Sequence, residues 1–218
     1  MIDLEGGAKV HGFRGYYLKN EAAQLEMSLM MYALNKMIAK GFIPLISPVL
    51  VKEFSLYGTG YFPNFKDDIF KIQDKTPDNK EDNLYLAGTS EVAILAYFSD
   101  KVFDKKDLPI KVCAFSPSFR SEIGSYGKDT KGLYRVHEFM KIEQVIIGEH
   151  DLAKSEAYFK EMLGISEEIL QDLGLPYRVK NICTGDMGVG KYYMNDIETY
   201  MANREDYGET HSCSSLTD

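Results

Sequence analysis

Arg120 and Arg135 bracket a Gly-rich polar stretch, and both flanks of that stretch alternate as strands do. Ile110, Val112 and Ala114 precede it; Phe139, Lys141, Glu143 and Val145 follow it. A hairpin on these flanks would bring two guanidiniums and an aromatic ring to one face of a sheet. A guanidinium suits a polyphosphate, because its planar fork pairs two oxygens at once and never loses its charge. An aromatic face suits a purine, and an arginine can stack on the other side. Together these residue types describe a nucleotide site on an antiparallel sheet, with no Walker-type loop. The competing view is a pair of surface ion pairs with Glu122 and Glu138, which would contribute little energy. The company of Phe139 and Glu143 favours the nucleotide site. Glu143 shares the parity of Phe139, so both face one side, where a carboxylate could hold an ammonium group; a solvated strand position fits Glu143 equally well.

Other residues carry weaker signals. Ala87-Gly88-Thr89-Ser90-Glu91 follows a strand and opens the apolar run Val92 to Tyr97. The glycine permits a tight turn and Thr89 suits an N-cap, with Glu91 complementing the helix dipole. Glu209 and Ser212 offer hard oxygen ligands of the kind Mg²⁺ takes when it bridges nucleotide phosphates, although such a pair alone is common. His211 and Cys213 alternate with them, but the remaining His and Cys residues lack paired spacing, which argues against zinc. His137 reads as a packing or hydrogen-bonding residue rather than a general base.

These residues need a scaffold, and the bulk sequence supplies one. The chain has 218 residues, 44% of them hydrophobic and 12% aromatic, enough for a substantial core in one domain spanning 1–218. A net charge of −8 argues against broad nonspecific affinity for nucleic acid. Three cysteines without a CxxC pair fit a reducing cytoplasm. The first residues are acidic and lack an apolar run, and no segment has membrane length.

Residues 1–19 read as an extended lead-in. Asn20 is placed to cap a helix running to about Lys40, with Ala22, Leu25, Leu29, Tyr32 and Ala33 as its apolar stripe and Gly41 as its stop. Phe42 to Leu50 reads as a proline-broken strand at a sheet edge or interface. Asp68 to Gln73 and Leu84 to Leu86 form an expected hairpin around the charged loop 74–82. Asp151 opens a second long helix, with Phe159, Met162, Leu163, Ile169, Leu170 and Leu173 on one face and Gly174 with Pro176 at its end. Strands are expected at 177–183 and 192–200. The glycines between them, Gly185, Gly188 and Gly190, read as a turn rather than a phosphate cradle, because no helix N-terminus follows.

The run Ser116-Pro117-Ser118-Phe119-Arg120-Ser121-Glu122 through Leu133-Tyr134-Arg135-Val136-His137-Glu138-Phe139 resembles motif 2 of class II aminoacyl-tRNA synthetases, in its seryl-tRNA synthetase form. The resemblance extends over essentially the whole chain. It includes Ala8-Lys9-Val10, Tyr16 to Asn20, Gly58 to Pro63 and Cys183 to Gly188. Lys40-Gly41-Phe42 through Pro48 is similar to motif 1, which implies a homodimer through the region around Pro48.

The resemblance implies an α/β (α+β) fold, an antiparallel sheet flanked by helices. It implies serine contacts at Thr89, Ser90, Glu91 and Glu143, with Glu143 on the serine ammonium. It implies ATP contacts at Arg120 (α-phosphate), Ser121, Glu122 (near adenine), Arg135 (outer phosphates), Val136 (backbone to adenine) and Phe139 (stacking). It places ATP contacts at Glu209, Thr210, His211 and Ser212, and Mg²⁺ on Glu209 and Ser212. The implied substrates are L-serine, ATP and tRNA(Ser), and the implied place is the cytoplasm. The family carries an N-terminal helical arm and a motif 3 that this sequence does not include, so a catalytic-core fragment with impaired activity is expected. A carrier-loading or non-catalytic homologue that binds ATP and amino acid is the alternative.

Overall fold

The computed structural model describes residues 1–73, 83–123, 129 and 132–216. Its start departs from the expected extended lead-in. β1 (Ile2–Asp3) leads into α1 (Leu4–His11), and β2 (Tyr17–Leu18) returns antiparallel to β1. Asp3 nucleates the helix, its carboxylate accepting from the Gly6 backbone N–H at 2.7 Å. Lys19 pairs with the same carboxylate. Two adjacent glycines in α1 lower its propensity, which is why the sequence does not announce a helix here.

α2 (Glu21–Ala39) fills the expected span. Asn20 occupies its N-cap position at φ 53°, but the side chain makes no capping bond. Gly41, at φ +90°, ends the helix as expected. Ala33 and Met37 are buried, whereas Leu25, taken as part of the inward stripe, is exposed together with Met27, Met31 and Ile38.

The prolines divide the next segment into β3 (Ile43–Leu45) and β4 (Leu50–Lys52). α3 (Glu53–Gly58) follows, then β5 (Leu84–Leu86), which pairs antiparallel with β4. The hairpin expected from Asp68 to Gln73 shrinks to one bridge, Lys71 to Tyr85, after a short 3₁₀ turn at Lys66–Asp68. The loop 74–82 lies outside the described residues. α4 (Ser90–Phe98) follows β5 directly. β6 (Ile110–Phe119) lies between β3 and β7 (Glu138–Ile147). β3 joins β6 in parallel, Ile43 opposite Val112 and Leu45 opposite Ala114, at the sheet edge that Pro44 tolerates.

The contacts divide the chain into two compact units, Met1–Lys101 with Val112–Val145, and Val102–Lys111 with Ile146–Asp218. In the first, Val51, Leu56, Phe62, Ile69, Tyr85, Ala87, Val92 and Ala93 form the core cluster. The Phe62 and Tyr85 rings meet edge to face at 5.2 Å. This core holds the end of β5 and the start of α4 in place.

In the second unit, α5 (Leu152–Asp172) starts at Asp151, whose carboxylate accepts from the Lys154 N–H at 3.0 Å. Phe159, Ile165, Ile169 and Leu170 are buried; Leu173, expected on that face, is exposed. β8 (Tyr177–Asn181), β9 (Lys191–Met201) and β10 (Asp206–Leu216) form an antiparallel sheet with β9 in the middle. The glycine-containing segment before β9 is a turn. β10 is additional to the strands expected from sequence. One sheet face meets α5, where Cys213 Sγ lies 3.9 Å from the Phe159 carbonyl and Ser155 Oγ lies 3.1 Å from Ser215 Oγ. Among the described residues no helix is long and apolar enough to cross a membrane.

Candidate active site

The start of α4 is fixed by Thr89, whose backbone is extended and whose Oγ1 accepts from the Glu91 N–H at 3.3 Å. Thr89 is fully buried. Gly88, expected to permit a turn, is not required here for space: a Cβ there would stand 3.4 Å from the Phe119 carbonyl oxygen, an ordinary contact. Phe119 N–H in turn donates to the Ala87 carbonyl at 3.0 Å. This close approach brings the end of β6 against the β5–α4 junction. Ser90 is buried, and its hydroxyl has no hydrogen-bond partner among the described residues.

Arg120 follows β6 directly. Its backbone N–H donates to the His137 carbonyl at 2.9 Å, and its Nε donates to the Gly88 carbonyl at 3.2 Å. The guanidinium then lies over the Phe139 ring, 5.4 Å from its centroid. Of the two guanidiniums expected near the ring, this one lies there, in direct contact with the ring face. His137 Nδ1 sits 3.0 Å from the Arg120 carbonyl, and its ring packs against those of His11 and Phe70, the packing and hydrogen-bonding role expected. Ser121 is tied back to the turn before β5: its Oγ donates to the Asp67 carbonyl at 2.7 Å and its N–H to the Asp68 carbonyl at 3.0 Å.

Arg135 has a different environment. Its Nη1 donates to Glu122 Oε2 at 2.7 Å, and its Nε lies 3.6 Å from Asp129. The Glu122 hydrogen bond, against the cost of burial, raises its pKa further. The ion pair with Glu122, disfavoured on sequence grounds, thus forms for Arg135; Arg120 has the carbonyl and the ring instead. Val136 is buried beside it.

Phe139, Lys141 and Glu143 alternate along β7 and project to one side. Thr89 Oγ1 donates to Glu143 Oε2 at 2.5 Å. Lys141 Nζ donates to Thr89 Oγ1 at 3.0 Å and also pairs with Glu143. Burial pulls the Lys141 pKa down, but the Glu143 carboxylate more than restores it and leaves the ammonium above its ordinary value. The Tyr61 phenol feels the same charges, and burial raises its pKa. Sequence reasoning singles out neither Lys141 nor Tyr61. For Lys141 a signal existed: it has the parity of the two residues that flank it in the motif.

Glu209, Thr210, His211 and Ser212 lie on β10 of the second unit. Residues three apart on a regular strand face opposite sides. Here Glu209 is opposite Glu198 and His211 opposite Ile197, so Thr210 is an extra residue, a β-bulge. Ser212 comes opposite Asp196, which shares the face of Glu198, and the bulge therefore sets Glu209 and Ser212 on one face. Thr210 Oγ1 turns to the other side, 2.7 Å from Thr199 Oγ1 and 2.9 Å from His211 Nδ1. Burial raises the Asp196 pKa, opposed by a hydrogen bond from Ser212. Beside them Glu198 receives Arg178 Nε at 2.6 Å and Lys180 Nζ at 2.9 Å. Among the described residues no three His, Cys, Asp or Glu side chains gather as a metal-binding group.

The family model of the tRNA synthetase class II core domain (G, H, P, S and T) matches residues 70–218. Among known proteins, the chain is 43% identical over 216 residues to a serine–tRNA ligase of Deinococcus radiodurans, covering 99% of this chain and 49% of that one. It is 41% identical over 219 residues to that of Bdellovibrio bacteriovorus, covering 100% and 49%. Among solved structures, the cytoplasmic serine–tRNA ligase of Naegleria fowleri in complex with AMP superposes with a TM-score of 0.90 at 34% identity, covering 98% of this chain and 49% of that one. The seryl-tRNA synthetase of Pyrococcus horikoshii complexed with ATP gives a TM-score of 0.90 at 38% identity, covering 100% and 46%. The chain spans about half the length of the relatives it matches. Sequence and fold agree that it belongs to the class II tRNA synthetase core-domain family, and what it resembles within that family is serine–tRNA ligase.

Proposed function

We propose that this chain is the catalytic core of a serine–tRNA ligase, which activates L-serine with ATP and transfers it to the 3′ end of tRNA(Ser) in the cytoplasm. The observation that carries the reading is the Arg120 guanidinium over the Phe139 ring, with Glu143 on the same strand face as that ring. In the first step a serine carboxylate oxygen attacks the α-phosphorus of ATP and pyrophosphate leaves, giving seryl-adenylate. In the second, a terminal ribose hydroxyl of the tRNA attacks the seryl carbonyl and AMP leaves. Arg120 neutralises the α-phosphate, Phe139 stacks on adenine, and Glu122 and the Val136 backbone read its edge. Arg135 takes the outer phosphates, exchanging Glu122 and Asp129 for them. Glu143 and the segment Thr89–Ser90–Glu91 receive serine. Positioning and charge neutralisation carry the rate, so no dedicated general base is required.

Glu209 and Ser212, brought to one face by the bulge, are oxygen donors of the type Mg²⁺ accepts, with Thr210 and His211 alongside on the ATP-binding strand. Glu209 and Ser212 would hold Mg²⁺, which would supply positive charge to the phosphates. A homodimer through the region around Pro48 is consistent with the exposed apolar side chains of Ile43, Ile46 and Leu50.

The test is serine-dependent ATP–pyrophosphate exchange, with ATP binding measured alongside. Exchange with serine and with no other amino acid is expected. Exchange with a different amino acid overturns the seryl assignment, and absence of ATP binding overturns the catalytic one. Arg120→Ala should abolish exchange while the circular dichroism spectrum stays unchanged; undiminished exchange removes Arg120 from its role.

A further inference from the structure

In the proposed site Thr89 and Glu143 receive the ammonium of the amino acid, yet in this structure they already hold one. Lys141 Nζ donates to Thr89 Oγ1 at 3.0 Å and to Glu143 Oε2, the same oxygen that Thr89 meets at 2.5 Å. A hydroxyl and a carboxylate oxygen are the acceptors a primary ammonium seeks. We propose that Lys141 is a built-in occupant of the ammonium subsite, filling it in the empty protein and yielding it to the amino acid's own ammonium.

Charge supports exchange over coexistence. The Arg120 guanidinium already opposes the Lys141 charge. A second ammonium beside Lys141 would add a third cation to Lys141 and Arg120. Exchange keeps one ammonium on Glu143 before and after. It also spares the empty protein a poorly solvated carboxylate without a cationic partner. The route out exists: the Lys141 side chain remains 32% exposed on a flexible four-carbon stem. Once released, Lys141 stays on the strand face it shares with Phe139, near Arg120, where the substrates carry negative charge. Lys141 is thus a positioning residue, one that keeps Glu143 aimed until the amino acid arrives.

This inference rests on the proposed serine site, and the experiment separates the two. Ethanolamine carries the ammonium and hydroxyl of serine without its carboxylate; 3-hydroxypropionate lacks the ammonium. Both, with L-serine, are titrated into the full chain and its Lys141→Met variant by calorimetry. The Lys141 side-chain ammonium is followed in the wild type by nitrogen-15 NMR, assigned by its loss in the variant. Ethanolamine should bind Lys141→Met roughly tenfold more tightly, because the occupant reduces apparent affinity by the fraction of subsite left open. Serine and ethanolamine should shift the Lys141 resonance, and 3-hydroxypropionate should not. Equal or weaker binding by the variant, or a resonance unmoved by a bound ammonium ligand, overturns the exchange and leaves the serine site standing. Ammonium ligands that bind neither protein overturn both. If Lys141→Met does not fold, Lys141→Arg, which also lacks the ammonium, supplies the assignment and the wild-type NMR titration decides by the same criteria.

Discussion

Glu143 on β7 and Glu198 on β9 are strand carboxylates with the same side-chain exposure, 14%. Their partners differ. Glu198 is bridged by Arg178 and Lys180, both about half exposed. Burial would raise its pKa, but those two cations hold it below the ordinary value. Glu143 has a single, more covered ammonium and a fully buried hydroxyl. The first carboxylate is saturated on the central strand of its sheet; the second is held by one group that a ligand could replace. Burial of an acid is therefore a poor guide to a site, and the exchangeability of its partners is a better one.

The largest expected break in this contrast is Glu143→Ala. It leaves Lys141 without its countercharge, and chemical denaturation should show a loss of about 3 kcal/mol. Serine-dependent exchange should disappear with it; an undisturbed midpoint would place Glu143 with Glu198. Next, Thr89→Val removes both a helix cap and the hydroxyl that orients Glu143. A loss of about 1 kcal/mol is expected from the cap, with weaker serine binding by calorimetry; unchanged serine binding would confine Thr89 to capping.

A pH series sharpens the difference further. The folded-state pKa of Lys141 is raised above 10.5. Its contribution is thus fully present below that value and is lost as pH climbs through the raised one. Thermal midpoints followed into that alkaline range should fall, and the fall should be smaller in Lys141→Met. An identical fall in the variant would assign it to other groups. The smallest effect belongs to Glu198→Gln, where exposed cations are screened by water. Its midpoint should match the wild type in thermal unfolding, and a loss as large as that of Glu143→Ala would erase the contrast.

Much of this was legible in residue order. Parity alone placed Phe139 and Glu143 together, because a strand offers only two sides. Thr89 as a cap, Asp151 as a helix start and Gly41 as a stop follow from local chemistry, and all three hold. What stayed hidden depended on partners distant in sequence. α1 forms through the Asp3 cap despite two glycines. The inward face of α2 is decided by what covers it, so Leu25 could not be separated from Ala33 by spacing. β10 is largely small and polar, and its two buried residues, Gly208 and Cys213, give no apolar alternation. Cys213 and Ser215 meet α5 without a hydrophobic signature. Arg120 and Arg135 look equivalent as letters, and only the backbone after β6 gives one a ring and the other two carboxylates.

The extra residue at Thr210 has a consequence for how this strand tolerates change. It acts as a phase shift between two ladders. Deleting it would leave a regular ladder, with Ser212 two residues from Glu209 and on the same side. Ser212 would keep its neighbour Asp196, and Cys213 its place opposite Asn195. At this point in the chain the bulge absorbs a change in residue number, so a one-residue gap is borne more easily here than along the regular ladder on either side.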